Sequence, residues 1–306
     1  MDLTPHYRLQ FPSDLTALAN LARTLRPDAP ELAFKDLLGI TLAGPCDLLL
    51  GRFPSSAAPV ASVLHHRAAS APPELHVIMT GDDGWQCGVW FDDPNQPSAH
   101  VVAGQGTLEV VGSNVLEALR WRVEERAAVA SEEVLQTALA AVRNAIRGGV
   151  EARLETGAAY LEAFRPAPRS VTVTTEDGLG VVLAGDHGEA PLDEARLAQL
   201  RDFSGSVEAL EADLRAVRGH LPSLLRLGRD LLGHPSLHQL ATAMLSVAYA
   251  SSGRDWFGAV LRATQRNAED SPIDVVTAHA GLDLQDLVQE TALPALKSLL
   301  DELPSN

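Results

Sequence analysis

Few residues of this 306-residue chain stand at spacings that chemistry would require. Two adjacent carboxylate pairs, Asp82-Asp83 and Asp92-Asp93, could share a proton or hold a hard cation. Both also sit where turns form, since Asp83 precedes Gly84 and Asp93 precedes Pro94, and turn chemistry accounts for them as well. His234 and His238 are four apart, the spacing that sets two imidazoles on one helical face. Pro235, however, places His234 at a helix cap, and no third ligand stands at metal spacing. His65 and His66 are neighbours in a loop-like stretch and share no face. Cys46 and Cys87 fit no metal pattern and read as buried thiols. Gly104-Gln105-Gly106 lacks the helix that would complete a phosphate loop, and there is no Gly-x-Ser-x-Gly elbow. Trp85, Trp90 and Phe91 alternate with polar positions and read as sheet core, not as a stacking platform for bases. No metal site and no autonomous catalytic site emerges. That favours a binding or accessory protein.

Charge narrows the class of partner. The chain carries 24 Lys plus Arg against 40 Asp plus Glu, a formal charge of −16. Nucleic-acid binding needs clustered cations, so a direct DNA or RNA partner is not expected. From Ala68 to Leu119 there is no Lys or Arg, while Glu74, Asp82, Asp83, Asp92, Asp93, Glu109 and Glu117 fall inside. No apolar run approaches the ~18–20 residues that span a bilayer. No signal-peptide pattern opens the chain, so a cytoplasmic protein with reduced thiols is expected. Lysine occurs only at Lys35 and Lys297, a bias toward arginine that, with the heavy use of alanine, suits a GC-rich genome.

The elements that must position these residues follow from periodicity. Leu15, Leu18, Leu21, Ala22 and Leu25 predict a helix capped by Ser13 or Asp14 and ended by Pro27 and Pro30. A shorter helix is expected near Glu31–Leu38, and then a strand-turn-strand, Ile40–Ala43 and Asp47–Leu50, around Gly44-Pro45. Residues 54–73 read as a covering loop. Leu75–Thr80 and Trp85–Phe91 flank a Gly-Asp-Asp-Gly turn, and Val101–Ala103 and Thr107–Val111 flank a second glycine turn, which predicts an antiparallel sheet. Asn114 with Glu117 signals the start of a helix whose face is Leu116, Leu119, Val123 and Ala127. A second helix follows Ser131 and stops at Gly148-Gly149, and a third is expected over Val150–Phe164. Ser170–Thr175 and Leu179–Ala184 predict one hairpin. From Pro191 on, the chain reads as helical, broken near Gly205, Gly219, Gly233, Ser251, Ser271 and Gly281. The class is α+β: a sheet with flanking helices in an N-terminal domain (1–148), and a mainly helical C-terminal domain (149–306) with one hairpin near 170–184.

Several collinear segments resemble the histone PARylation factor family, accessory proteins of poly(ADP-ribose) polymerases with bacterial relatives. They are RLQFPSDL (Arg8–Leu15), LLGITLAGPCDLLLGRF (Leu37–Phe53), PPELHVIMTGDDGWQCGVWFDDP (Pro72–Pro94) and SNVLEALRWRVEERA (Ser113–Ala127). GLGVVLAGDHG (Gly178–Gly188) and LRLGRDLLGHPSLHQLATAMLSVAY (Leu225–Tyr249) extend the likeness to roughly residues 7–260. The resemblance implies docking beside an ADP-ribosyltransferase and the gift of a glutamate to a composite site. There the carboxylate acts as general base on a serine hydroxyl, while the transferase alone holds NAD and the factor binds no cofactor. Carried onto this chain, the family's Asp-Glu pair falls on Val217 and Arg218, and an arginine cannot be that base. Glu208, Glu211 and Asp213 are the nearest substitutes. In the contact loop Asp186 and Gly188 match, whereas the family's Tyr-Arg is replaced by Glu189-Ala190. Asp186, Gly188 and Arg218 are thus the expected partner-binding positions.

Three readings follow. The chain is an accessory factor that modulates serine ADP-ribosylation, or a catalytically silent protein-binding module of inhibitor or immunity type, or an enzyme using carboxylates near Asp82–Asp93. Residues 270–306, amphipathic over Leu282–Leu303, match no part of the family pattern.

Overall fold

The computed structural model describes residues 3, 7, 9–52, 63–64, 67–98, 100–149, 155–202, 204 and 206–267. His65, His66 and the expected helices beyond residue 267 lie outside them. Contacts divide the chain into two compact units, Met1–His66 with Glu74–Ser170, and Arg67–Pro73 with Val171–Asn306.

The first unit begins with α1 (Asp14–Leu25), which buries Leu15, Leu18, Ala19 and Ala22. A 3-10 turn (Pro30–Leu32), α2 (Lys35–Leu38), β1 (Ile40–Leu42) and α3 (Pro45–Leu50) follow. Then come β2 (Leu75–Gly81), β3 (Gln86–Trp90), β4 (His100–Gln105) and β5 (Thr107–Gly112). Helices α4 (Val115–Val129), α5 (Glu133–Ala145) and α6 (Ala158–Ala163) complete it. The five strands form one sheet in sequence order, each antiparallel to the next, as the alternating pattern and tight turns require. Gly88 lets β2 and β3 close, because a Cβ there would lie 2.4 Å from the His76 carbonyl oxygen. Both faces of the central strands are buried, with Trp90, Phe91, Val89 and Val101 in the core.

Two local expectations are corrected. Asp47–Leu50 is not a strand but the body of α3: Pro45 occupies the first turn, and Gly51 at φ 77 closes the end. A short apolar run does not by itself separate strand from helix. Asp14 does not cap its own helix. Its Oδ2 accepts 2.8 Å from the Leu116 N–H and so caps α4, 102 residues away. Asn114 caps α4 as expected, accepting 2.9 Å from the Glu117 N–H. Where a helix over Val150–Phe164 is expected, the described part begins only at Ala158, after Gly157 at φ 58.

A buried ion cluster ties α4, α5 and α6 together. Glu124 is 0% exposed, and Arg120 Nε and Arg143 Nε each lie 2.5 Å from its Oε1. Its Oε2 accepts 2.8 Å from Arg143 and 2.6 Å from the Gly157 N–H. Arg120 also stacks over the Tyr160 ring at 5.1 Å.

In the second unit the expected hairpin is present in its shortest form, a single antiparallel bridge between Val173 and Val181. The Thr172 hydroxyl and the Leu183 backbone exchange bonds of 3.2 and 3.0 Å in place of further ladder rungs. Helices α7 (Glu194–Arg201), α8 (Val207–Arg218), α9 (Leu221–Leu232), α10 (His238–Ser251) and α11 (Asp255–Asn267) follow. Asp193, Ser206 and His220 cap α7, α8 and α9 through their side chains. Gly228 of α9 leaves room for α10, since a Cβ there would meet Leu245 Cγ at 2.7 Å. No described helix is long and apolar enough to cross a membrane.

Candidate functional site

The carboxylate pairs of the sheet are turn residues. Asp83 Oδ1 accepts 3.0 Å from the Trp85 N–H, Asp93 Oδ1 accepts 2.8 Å from the Asn95 N–H, and Asp82 pairs with Lys35. Asp92 does more. It receives Arg169 Nε at 2.9 and 3.0 Å and Trp90 Nε1 at 3.0 Å, while Arg169 lies 5.2 Å over the Trp90 ring. Burial pushes the Asp92 carboxyl up, but the Arg169 and Trp90 donors outweigh it and hold the group below its ordinary range. A carboxylate so committed is an anchor for the chain around Arg169, not a base. Cys46 and Cys87 are buried free thiols, and burial pushes both pKa values up.

The expected partner-facing positions all belong to the second unit. Asp186 and Gly188 stand in an exposed loop, where Asp186 Oδ1 accepts 3.0 Å from the Gly188 N–H and Gly188 adopts φ 72. Glu208, Glu211, Asp213 and Arg218 all fall on α8. The side chains of Glu208 and Glu211 lie outside the described residues. Asp213 is buried at 5% exposure and binds Arg196, whose Nε donates to its Oδ2 at 3.0 Å. Val217 is fully buried, and Arg218, next to it, is half-buried at the end of the helix. The structure thus joins Asp213 to α7 and leaves Asp186 in its own turn. His234 precedes a 3-10 turn without a side-chain capping bond, and His238 begins α10.

A cluster that the sequence did not single out lies between the hairpin turn, α7 and α9. Asp177 Oδ2 accepts 2.9 Å from Arg229 Nε, while its Oδ1 accepts from the Thr175 hydroxyl and the Leu179 N–H at 2.8 and 3.0 Å. Burial raises the Asp177 carboxyl, but Arg229 and these donors prevail and hold it low. Arg226 grips Glu194 with both terminal nitrogens at 2.6 Å. Arg201 pairs with Glu176 and places its Nε 2.8 Å from Asp202.

Asp230 stands differently. Its Oδ1 accepts 2.8 Å from the Glu176 N–H, but its nearest cation is Arg226 Nε, 3.8 Å from Oδ2. Burial raises its pKa to about 6; the negative charges of Glu176 and Asp177 add to the rise, while the Glu176 N–H and Arg226 oppose it. A cavity of about 180 Å³ opens at this carboxylate, lined also by Leu197, Ala198 and Leu227. The available signal was Arg226 with Asp230 at i,i+4 on the apolar helix, a polar pair on a buried face.

The family model described as histone PARylation factor 1 matches residues 1–190, which takes in the sheet, its flanking helices and the hairpin. A Bos taurus protein named histone PARylation factor 1 is 24% identical over 311 positions, covering 90% of this chain and 89% of its own length. The Mus musculus protein of that name is 24% identical over 302 positions, covering 88% and 86%. The Danio rerio one is 28% identical over 119 positions, covering 37% and 34%. With more than half its length under the family model, this chain belongs to the histone PARylation factor 1 family.

Proposed function

We propose that this protein is an accessory factor that binds an ADP-ribosyltransferase and modulates protein ADP-ribosylation, serine being the residue class affected. The observation that carries the reading is family membership, with relatives named for histone PARylation aligned along most of the chain. In this reading the transferase holds NAD and performs the transfer. The accessory chain is not an enzyme alone and acts in the cytoplasm through its second unit, with Asp186, Gly188 and Arg218 toward the partner. A serine hydroxyl, unlike a carboxylate, must lose its proton to attack an anomeric carbon, so a factor that redirects transfer must influence that proton.

A second reading is favoured by the residues of α8. The resemblance sets Arg218 at the family's glutamate, and the neighbouring Asp213 is spent on Arg196. A chain that keeps the fold with the one described substitute carboxylate, Asp213, already paired would serve as a silent protein-binding module, an inhibitor or immunity-type protein.

Reconstitution with a poly(ADP-ribose) polymerase-type transferase and labelled NAD separates the readings. An accessory factor co-purifies with the transferase and raises the ratio of modified Ser to modified Glu and Asp. A silent module co-purifies, lowers total transfer and leaves that ratio alone. Neither co-purification nor any change in transfer would overturn both.

A further inference from the structure

We propose that the cavity between α7 and α9 is a binding site for a primary alkylammonium group, seated on Asp230 Oδ2 with its hydrocarbon stem along Leu197, Ala198 and Leu227. The proposal stands apart from the ADP-ribosylation reading, because it rests on which hydrogen-bonding capacity in this cluster is already used. Both terminal nitrogens of Arg226 are on Glu194, and Arg201 is divided between Glu176 and Asp202. Arg229 is committed to Asp177. The guanidiniums around the cavity are therefore neutralised by carboxylates. An anionic ligand would have to displace these pairs and then face Asp230.

The open capacity is an acceptor. The Asp230 side chain is 7% exposed, and one of its oxygens receives the Glu176 N–H. Its other oxygen has only Arg226 Nε as ion partner, at 3.8 Å and beyond hydrogen-bond reach, and the residue lines the cavity. Buried carboxylates without a full counter-charge are costly, and a ligand that supplies one gains the attraction that the fold leaves unused. The wider cluster has the same sign. Glu176, Asp177, Glu194, Asp202 and Asp230 face three guanidiniums, Arg201, Arg226 and Arg229, a shortfall of positive charge.

The shape selects among cations. A cavity of about 180 Å³ has room for a short alkyl chain. A hard divalent ion needs several converging carboxylates, and among the described residues no three His, Cys, Asp or Glu side chains are grouped to hold a metal. A guanidinium is a wide planar fork, whereas an ammonium is a compact charge with three donors. Asp230 offers an acceptor beside the apolar side chains of Leu197, Ala198 and Leu227. That is the pattern an aminoalkyl group fills. Two sources share this chemistry, a free diamine and a lysine side chain of another protein.

The full-length protein, 15N-labelled, is titrated at pH 7.5 with 1,4-diaminobutane, with Nα-acetyl-lysine methylamide, and with tetramethylammonium and succinate as controls. Expected are saturable amide shifts at Ala198 and Leu227 for the two primary amines alone. Tighter binding of the lysine derivative assigns the site to a protein lysine; tighter binding of the diamine assigns it to a free amine. Asp230→Asn should weaken either ligand at least tenfold, about 1.4 kcal/mol or more. Ala198→Leu should do the same by filling the cavity while leaving every charge in place. Binding should also weaken at pH 5, where Asp230 takes up a proton. The groups facing it are Glu176 and Asp177 from the turn, Glu194 and Arg201 from α7, and Arg226 and Arg229 from α9. Equal binding by tetramethylammonium, binding of succinate, unchanged binding to Asp230→Asn, or no saturation below about 50 mM amine would each overturn the proposal.

Discussion

Replacing Asp230 by Asn should stabilise the second unit at neutral pH and do so less as the solution is acidified. The folded carboxyl titrates near 6 against an ordinary value of 3.8. A raised carboxylate pKa means that the native state binds the proton more tightly than the unfolded chain. The penalty is thus absent below about 3.8, develops as pH rises from there to about 6, and is complete above. The shift corresponds to a ceiling of about 3 kcal/mol at 1.36 kcal/mol per unit, of which about 2 kcal/mol develops between pH 4.5 and 7.5. Asparagine keeps an oxygen to accept the Glu176 N–H, so the substitution removes the charge and leaves that bond in place. Urea unfolding of full-length wild type and variant at both pH values, followed by hydrogen exchange of the α9 segment, reads the difference. The advantage of the variant should grow by about 2 kcal/mol from the acid to the neutral condition. A variant advantage that stays constant within ~0.5 kcal/mol, or one that reverses, would refute the placement of Asp230 as a buried carboxylate short of counter-charge.

Other perturbations separate structural from functional roles. Glu124→Gln leaves Arg120 and Arg143 without their buried counter-charge and should destabilise the first unit by about 3–5 kcal/mol, visible in denaturant titration. Asp14→Ala should cost about 1 kcal/mol and increase hydrogen exchange in the first turn of α4, not in α1, because the cap it removes belongs to α4. Gly228→Ala should cost about 1–3 kcal/mol by driving a methyl against Leu245, measured as a lowered thermal midpoint. Asp213→Asn should leave the site of ADP-ribosylation in a reconstituted reaction unchanged, since this carboxylate is occupied by Arg196; loss of serine modification in that variant would restore it as a base.

The sheet was legible because its signals are local: strand alternation, and the glycines that close the turns at Gly84 and Gly106 with φ 87 and 83. The start of α4 was legible for the same reason, since Asn114 and Glu117 cap it within one turn. What escaped depends on distance along the chain. No window around Asp14 contains Leu116, and none around Asp230 contains Glu176, 54 residues before it. α3 escaped for another reason, as its apolar residues are too few to express a period. The candidate site divides likewise. The expectation for Arg218 came from the family resemblance alone, whereas that Asp213 belongs to Arg196 required the fold.

The short segment Arg67–Pro73 belongs to the second unit although chain of the first unit flanks it on both sides. Within the second unit Arg67 Nε donates to the Thr264 hydroxyl at 3.1 Å, and its guanidinium donates to the Ala71 carbonyl at 2.8 Å. The backbone therefore passes from one unit to the other three times, and the two are interleaved rather than strung in series. Such a chain has no modular half. Ending it near residue 170 would strip Arg67 of its α11 partner, and a fragment beginning there would lack seven residues of its own fabric. A single nick at that junction would cut the chain without making two separable proteins. Evolution, too, could not shuffle either unit by one recombination event.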